Sequence, residues 1–215
     1  MKGLLAKDFR LLKVNRDFIV MVIIAGLCMI IFSTGRELYP MMFISFIAAI
    51  VGAGTITYDE MDNGNAFLFT MPFSRKDYVL EKYLLTIILY ALSLAVMSIC
   101  ALIVAAVKGT VDMGDFGLIW VISLIFSMIF QAWMITINLK FGGEKGRIAN
   151  IAIFFVSFAA AVLFFNVFNP DIGPVVHAVS GLGLKVIAAA GFVAAALIYA
   201  ASVAVSMRIM AKKEF

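Results

Sequence analysis

Residues Tyr83–Val107 read YLLTIILYALSLAVMSICALIVAAV and contain no charged side chain. The hydrocarbon core of a bilayer is about 30 Å thick, and about 20 helical residues cross it. A lone strand in lipid would leave its backbone N–H and C=O groups without partners, whereas a helix satisfies them internally. The run is also too continuously apolar for the alternating pattern of an outer-membrane barrel strand. It therefore predicts a membrane-spanning α-helix.

Five more apolar runs accompany it in a chain of 215 residues that is 64% hydrophobic and only 14% charged. This polar fraction is too small to cover a water-facing globule, so the composition indicates an integral membrane protein. The sequence predicts an all-α bundle of six transmembrane helices in one domain, residues 1–215. The predicted spans are Phe18–Thr34, Leu38–Tyr58, Tyr83–Val107, Phe116–Leu139, Ile148–Phe168 and Val186–Met210.

The basic residues divide unequally between the two sides of these spans. Of the 17 Lys and Arg residues, 14 fall in the N-terminal segment, the second-to-third connection, the fourth-to-fifth connection and the C-terminal segment. Only Arg36, Lys108 and Lys185 fall in the other connections. Because cytoplasmic loops are enriched in Lys and Arg, both termini are predicted to be cytoplasmic.

The N-terminal segment, residues 1–17, has an amphipathic pattern. Leu5, Phe9 and Leu12 recur at helical spacing, and most of the basic side chains turn away from them. A basic amphipathic helix is typical of the membrane interface. We expect an interfacial helix that either only sets the topology or also borders a cytoplasmic partner.

The connection at residues 59–82 does not fit a simple bundle. Its acidic start cannot lie in the hydrocarbon core, where each central Asp costs about 2.5–3.5 kcal/mol. After an Asn-Gly-Asn turn signal, Ala66–Met71 is predicted to form a short helix that Pro72 ends. Ser74 and Asp77 form a predicted capping box that starts the next helix.

The short helix carries Phe67, Leu68 and Met71. A helix of this length is not stable alone in water, so its apolar face needs a surface to bury against. One interpretation lays it on lipid headgroups. The other docks it on a soluble partner, because an apolar anchor rimmed with charge is typical of protein interfaces.

These residues resemble the cytoplasmic loop of small ABC-2 type permeases of Gram-positive bacteria. Met71 stands where that family often has Leu, and Phe73 is inserted after the proline. The chain is most similar in size to the membrane subunits of exporters for phenol-soluble modulins, which are amphipathic cytolytic peptides. The matching positions are Asp59-Glu60, Gly64, Leu68, Met71-Pro72-Phe73-Ser74-Arg75, Tyr78-Val79 and Lys82-Tyr83, with Gly3-Leu4-Leu5, Lys7-Asp8 and Leu11-Leu12-Lys13 near the N-terminus.

The resemblance implies a half-transporter of the ABC-2/type V exporter kind in a bacterial cytoplasmic membrane. Two copies of the chain would form a homodimer, and each copy would dock a separate ATPase through a coupling helix in the loop. That partner would bind ATP and Mg, since this chain lacks a G-x-x-x-x-G-K-[ST] motif. We therefore expect neither an enzyme nor a cofactor site here. The implied docking residues are Asp59, Glu60, Gly64, Phe67, Leu68, Met71, Pro72, Ser74 and Arg75.

Polar residues within the fourth span are Gln131 and Asn138. Such side chains commonly hydrogen-bond between helices, each bond contributing about 0.6–2 kcal/mol, and the alternative is that they line a substrate path. No Asp, Glu, Lys or Arg lies at the centre of a predicted span. This argues against a proton-coupled carrier and favours amphipathic or lipid-like cargo over bare ions.

The outer segment, residues 169–185, contains His177, the only histidine. A metal or catalytic site there would lack further His ligands, so none is predicted. The segment has two Pro and three Gly, which argue against one regular helix. The resemblance implies a candidate re-entrant hairpin before the last span.

Taken together, these features predict the transmembrane subunit of an ABC exporter that moves amphipathic peptides or similar hydrophobic cargo out of the cell. Its expected partners are the ATPase, a second copy of the chain, the bilayer and the cargo, without nucleic acid. Three alternatives stay open: the substrate-binding subunit of a vitamin uptake transporter, a membrane enzyme, and a permease-like sensor of peptide antibiotics that transports nothing.

Overall fold

The computed structural model describes residues 2–14, 16–33, 39–60, 64–70, 73–109, 113–168 and 184–213. Within these ranges the regular structure is entirely helical. In chain order the helices are α1 (Lys2–Val14), α2 (Arg16–Phe32), α3 (Tyr39–Glu60), α4 (Gly64–Leu68), α5 (Arg75–Lys108), α6 (Met113–Phe141), α7 (Gly143–Phe168) and α8 (Leu184–Lys212).

Each of the six predicted spans falls on one long helix, namely α2, α3, α5, α6, α7 or α8. By length and composition, four stretches of the described residues are candidate membrane spans: Met42–Glu60, Arg75–Lys108, Ile119–Phe141 and Val186–Lys212. A fifth results if α1 and α2, which meet at a 70° bend, count as one broken span. The all-helical membrane fold is therefore confirmed, and the count of six spans stays a prediction.

The helices pack around α5 and α6. The largest helix–helix contacts join α3 to α5 and α6 to α8, and α6 also packs on α3 and α7. One core cluster lies near the chain termini and includes Leu4, Ile56, Tyr78, Ile135 and Met210. A second cluster, around Ile30, Tyr90 and Met97, lies towards the opposite end of the bundle.

The short helix of the 59–82 connection is shorter than predicted. It covers Gly64–Leu68 rather than Ala66–Met71, because the chain turns after it. Both the backbone N–H and the hydroxyl of Thr70 donate to the Phe67 carbonyl, at 3.1 and 2.7 Å. The capping box at Ser74 and Asp77 is present and starts α5.

The apolar face of α1 differs from the predicted one. Leu4, Asp8 and Leu12 form the stripe buried against the bundle, whereas Phe9 is 42% exposed. The sequence pattern placed Phe9 on the apolar face because Leu5, Phe9 and Leu12 recur at helical spacing. Asp8 is accommodated in the buried stripe because a lysine from α5 neutralises its charge.

Candidate functional site

A buried ionic cluster joins three helices at the end of the bundle nearest the termini. Lys82 on α5 donates to Asp8 on α1 and lies 2.6 Å from Asp59 on α3. Its ammonium also donates to the Thr55 hydroxyl at 2.9 Å. Lys7 donates to the second oxygen of Asp59. A buried charge is tolerable only when it is paired and hydrogen-bonded, and this arrangement pairs two cations with two carboxylates.

The ionic cluster fixes the charge state of Asp8. Burial by itself would raise the pKa of Asp8, but the ammonium groups of Lys82 and Lys7 outweigh it and hold the pKa below its ordinary value. Tyr78 closes the cluster from α5 by donating to Asp59 at 3.1 Å. The N-terminal helix is therefore attached to α3 and α5 through charges rather than through apolar contacts alone.

Glu81 is the surplus carboxyl of this region. It is fully buried, and within the described part of the chain no N–H or hydroxyl group donates to either of its oxygens, so its one polar neighbour able to accept a proton-mediated bond is the Asp8 carboxylate. Its nearest cation is Lys82, at 3.8 Å. Burial, reinforced by the neighbouring Asp8 and partly offset by Lys82, raises the pKa of Glu81 to about 7. This residue precedes the predicted span Tyr83–Val107, on the part of α5 that extends beyond it.

A second set of polar contacts surrounds the C-terminus of α8. The Arg75 guanidinium donates to the carbonyls of Met210, Ala211 and Lys213, at 3.0, 3.2 and 2.6 Å. The last carbonyls of a helix have no intrahelical partner, so Arg75 caps α8. Lys213 donates to Glu60 at 2.7 Å and to the Leu139 carbonyl at 3.2 Å.

Glu60 brings α7 to the same place, because it accepts from the Gly143 backbone N–H. The ionic cluster and the α8 cap thus form one continuous region, which we call the polar junction. Helices α1, α3, α5, α6, α7 and α8 all meet there. The polar junction consists of Lys7, Asp8, Asp59, Glu60, Arg75, Tyr78, Glu81, Lys82 and Lys213.

The short helix α4 lies against this junction. Gly64 begins α4 so close to α3 that a Cβ there would lie 2.7 Å from the Asp59 carbonyl oxygen. Leu68 is buried in the core cluster, whereas Phe67 is 67% exposed. Phe69 packs edge-on against Tyr78, with ring centroids 5.6 Å apart. The helix therefore has an inner face joined to the junction and an outer face that carries a phenylalanine.

A family model described as ABC-2 family transporter protein matches residues 3–211. This chain belongs to the ABC-2 transporter family. Neither the curated proteins nor the solved structures gave a match to it. The family resemblance inferred from the 59–82 connection and the N-terminal segment is thereby confirmed, and the chain is a membrane component of a transporter.

The predicted docking residues of this ABC-2 permease occupy different environments. Phe67 and Ser74 are exposed, and Ser74 is occupied by the capping box. Asp59 and Leu68 are buried within the chain, while Glu60 and Arg75 are held in the polar junction. Met71 and Pro72 lie outside the described residues. Of the described set, Phe67 offers apolar side-chain surface to a partner, and docking itself stays a prediction.

Sequence reasoning missed the partners that hold these residues. The sequence pattern assigns no partner within the chain to Asp8, Tyr78, Glu81 or Lys82, yet all four are buried. One signal was available in the sequence. Asp8 is the single acidic residue among the basic side chains of α1, and it lies at i+4 from Leu4 and i−4 from Leu12 on the same face.

The two predicted path residues both lie inside the helix bundle of the permease. Gln131 donates to Ser127 one turn earlier, at 2.6 Å. Asn138 accepts from Asn150 at 2.8 Å, which joins α6 to α7. The Asn138 bond matches the helix-joining interpretation, whereas the Gln131 bond stays within α6. A role of either residue in a substrate path stays a prediction. The 169–185 segment with His177 lies almost wholly outside the described residues. Among those that are described, no group of three or more His, Cys, Asp or Glu is placed to hold a metal ion.

Proposed function

We propose that this chain is the transmembrane subunit of an ABC exporter that moves amphipathic peptides or similar hydrophobic cargo out of the cell. A separate ATPase, which binds ATP and Mg, drives transport from the cytoplasmic side. Two copies of the chain and two ATPases form the complete transporter. The observation that carries the proposal is the exposed Phe67 on α4, a helix otherwise joined to the polar junction.

The polar junction supports mechanical coupling. A displacement of α4 acts on Asp59 and Glu60 at the end of α3, because Gly64 at the start of α4 lies against the Asp59 carbonyl. Asp59 is tied to α1 and α5, and Glu60 is tied to α7 and α8. Movement of one short helix is therefore passed to five others through charged contacts. Such a network provides a physical connection between a docking surface and the spans.

The choice of cargo rests on the apolar character of the spans. Because charged side chains cluster at the polar junction and not at the centres of the predicted spans, the pathway offers no fixed charge to a bare ion. Amphipathic or lipid-like molecules fit such an interior. The similarity in size to membrane subunits of peptide exporters selects amphipathic peptides among them.

The docking proposal is tested by co-purification. The tagged chain is expressed with its neighbouring genes, solubilised gently and examined for an associated ATP-binding subunit. We expect the unaltered chain to retain that subunit and Phe67→Asp to lose it, because a charge replaces an apolar anchor. Phe67→Leu should retain most of the binding.

Phe141→Asp is the matched control, since Phe141 is also an exposed phenylalanine but lies at the end of α6. Leu68 is unsuitable as a probe, because it is buried and its replacement by Asp would disrupt the fold. If the ATPase co-purifies equally with Phe67→Asp, α4 is not the docking helix. If no ATPase co-purifies and the chain alone binds a small metabolite saturably, the vitamin uptake alternative replaces the exporter.

A further inference from the structure

A groove runs along the bundle between α3, α6 and α7. It consists of two adjoining cavities of 440 and 520 Å³, which share the side chains of Phe46, Phe130, Trp133 and Phe154. Phe46 packs against Phe130 with ring centroids 4.2 Å apart and ring planes tilted by 54°, so the groove has an aromatic wall. At the polar junction the groove is closed by close helix contact, because a Cβ on Gly143 would overlap the backbone of Thr57.

The end of the groove near the polar junction is polar and positively charged. Arg147 lines it together with Asn138, Asn150 and Thr57. No carboxylate in the described ranges forms an ion pair with Arg147, which is exposed. Lys140 and Lys145 lie in the same connection, where Glu144 is the one acidic residue. The rest of the lining is almost entirely apolar.

The polar end coincides with the predicted membrane boundary on three helices at once. Thr57, Asn138 and Arg147 lie within about one helical turn of the ends of the spans predicted as Leu38–Tyr58, Phe116–Leu139 and Ile148–Phe168. On α6, the groove extends from Asn138 to Ser123, which is about 22 Å of helix. Half of a hydrocarbon core of about 30 Å is the depth of one leaflet, so the groove covers the whole depth of that leaflet and reaches past the midplane.

We propose that the groove binds an anionic phospholipid from the leaflet at the polar junction, with its phosphate at Arg147 and one acyl chain along the aromatic wall. Basic pockets between transmembrane helices are typical binding sites for anionic lipid headgroups. Arg147 provides a planar set of donors suited to phosphate, and the Asn138–Asn150 pair provides further N–H groups beside it. This assigns Asn138 to a resident lipid rather than to the cargo path, and it does not depend on the proposed export function.

A lipid fits the groove better than the other occupants do. A second copy of the chain would have to supply a carboxylate to Arg147 and a narrow apolar segment to the rest of the groove. An amphipathic helix would lie in the plane of the membrane interface rather than along α6. An acyl chain runs along the membrane normal, as the groove does. Its headgroup then lies at the depth of Arg147.

Trp133 provides a direct reporter because it lines both cavities. The chain has only two tryptophans, so Trp120→Phe leaves Trp133 as the single emitter. This protein, depleted of lipid in detergent, is titrated with phosphatidylglycerol or phosphatidylcholine that carries bromine on the acyl chain. We expect phosphatidylglycerol to reach half-maximal quenching at a mole fraction about five-fold lower than phosphatidylcholine does. One cation near the membrane surface favours an anionic lipid by about this factor.

Three variants in the same background test the site. Arg147→Gln should remove the preference for phosphatidylglycerol, whereas Arg208→Gln, which removes an exposed arginine elsewhere on the same side of the bundle, should keep it. Gly54→Leu should reduce quenching by both lipids, because Gly54 lines the groove and a side chain there meets open space. Equal quenching by the two lipids, or a preference that survives Arg147→Gln, would overturn the proposal. So would relief of quenching by a helical amphipathic peptide, which would assign the groove to cargo.

Discussion

Lys82 holds α1 on the bundle although the buried stripe of α1 contains an acidic residue, Asp8. Its ammonium is fully buried and contacts Asp8 on α1 and both Asp59 and Thr55 on α3. Replacing a buried ion pair by apolar residues is often neutral, but removing one partner leaves the other charges uncompensated. The pairing thus selects one position of α1 against α3 and α5, because no alternative position supplies the missing charges.

Lys82→Met should therefore destabilise the protein by about 3–5 kcal/mol, since two carboxylates lose their shared cation. Lys76→Met is the control, because Lys76 is exposed on the same helix and its loss should change little. The measurement is thermal unfolding in detergent, followed by size-exclusion chromatography. Equal midpoints for the two variants would mean that Lys82 does not hold the ionic cluster.

Glu81 gives the polar junction a dependence on pH. Its pKa rises from 4.5 to about 7 on folding, so the folded protein binds a proton more tightly than the unfolded chain does. The stability this proton contributes is fully present below about pH 4.5 and is lost as the pH rises through about 7. Glu81→Gln mimics the protonated form. We expect it to stabilise the protein by about 1–3 kcal/mol at pH 8.5 and little at pH 5.

The check is the unfolding temperature of both proteins at pH 5, 7 and 8.5. Glu144→Gln serves as the control, because Glu144 is exposed and carries the same charge change. A stabilisation by Glu81→Gln that is the same at every pH would contradict the assignment of a bound proton to Glu81.

The crossing of α7 over α3 shows how one element is positioned by the absence of a side chain. Gly143 lies so close to Thr57 that a Cβ would overlap its backbone, and the Gly143 N–H donates to Glu60. Gly54, which precedes Thr57 by about one turn of α3, faces open space instead. Two glycines near one another thus have different roles, which their sequence context does not reveal.

Gly143→Ala should displace α7 from α3 and cost about 1–3 kcal/mol, because the obstructing atoms belong to the backbone and cannot rotate away. Gly54→Ala should be neutral or stabilise the protein by up to about 1 kcal/mol, since Ala is favoured over Gly in a helix. Thermal unfolding of the two variants side by side distinguishes them. If Gly143→Ala is as stable as Gly54→Ala, the helices cross less closely than described.

Across the whole molecule, the hydrophobic pattern predicted the elements well and their mutual contacts poorly. The long apolar runs place α3, α5, α6, α7 and α8 within a few residues at most boundaries, because continuous apolar stretches of this length have few alternatives. The charges at the ends of the runs were predicted to face the cytoplasm, with no partners assigned within the chain. Their burial depends on pairing between Asp8 and Lys82, which are 74 residues apart, and no local pattern encodes such a pair.

Both termini lie on the same side of the membrane only if the number of spans is even, so the predicted cytoplasmic location of both depends on that number. The polar junction brings α1 and the C-terminus of α8 together, which agrees with an even number. A cysteine accessibility experiment tests this in cells. The native Cys28 is exposed and Cys100 is partly buried, so both are first replaced by Ala.

A membrane-impermeant maleimide applied to intact cells should label Arg36→Cys and Lys108→Cys, which lie in predicted outer connections. It should not label Lys76→Cys, Lys145→Cys or Lys212→Cys until the cells are opened, because these lie in predicted cytoplasmic segments. Lys145 is the most informative position, since α6 must cross the membrane for it to be protected while Lys108 is labelled. Labelling of Lys145→Cys in intact cells would place the polar junction outside, and an ATPase could then not reach α4. Protection of Lys76, Lys145 and Lys212 together, with labelling of Arg36 and Lys108, requires that α3, α5 and α6 each cross the bilayer, and that α7 and α8 either both cross it or both do not.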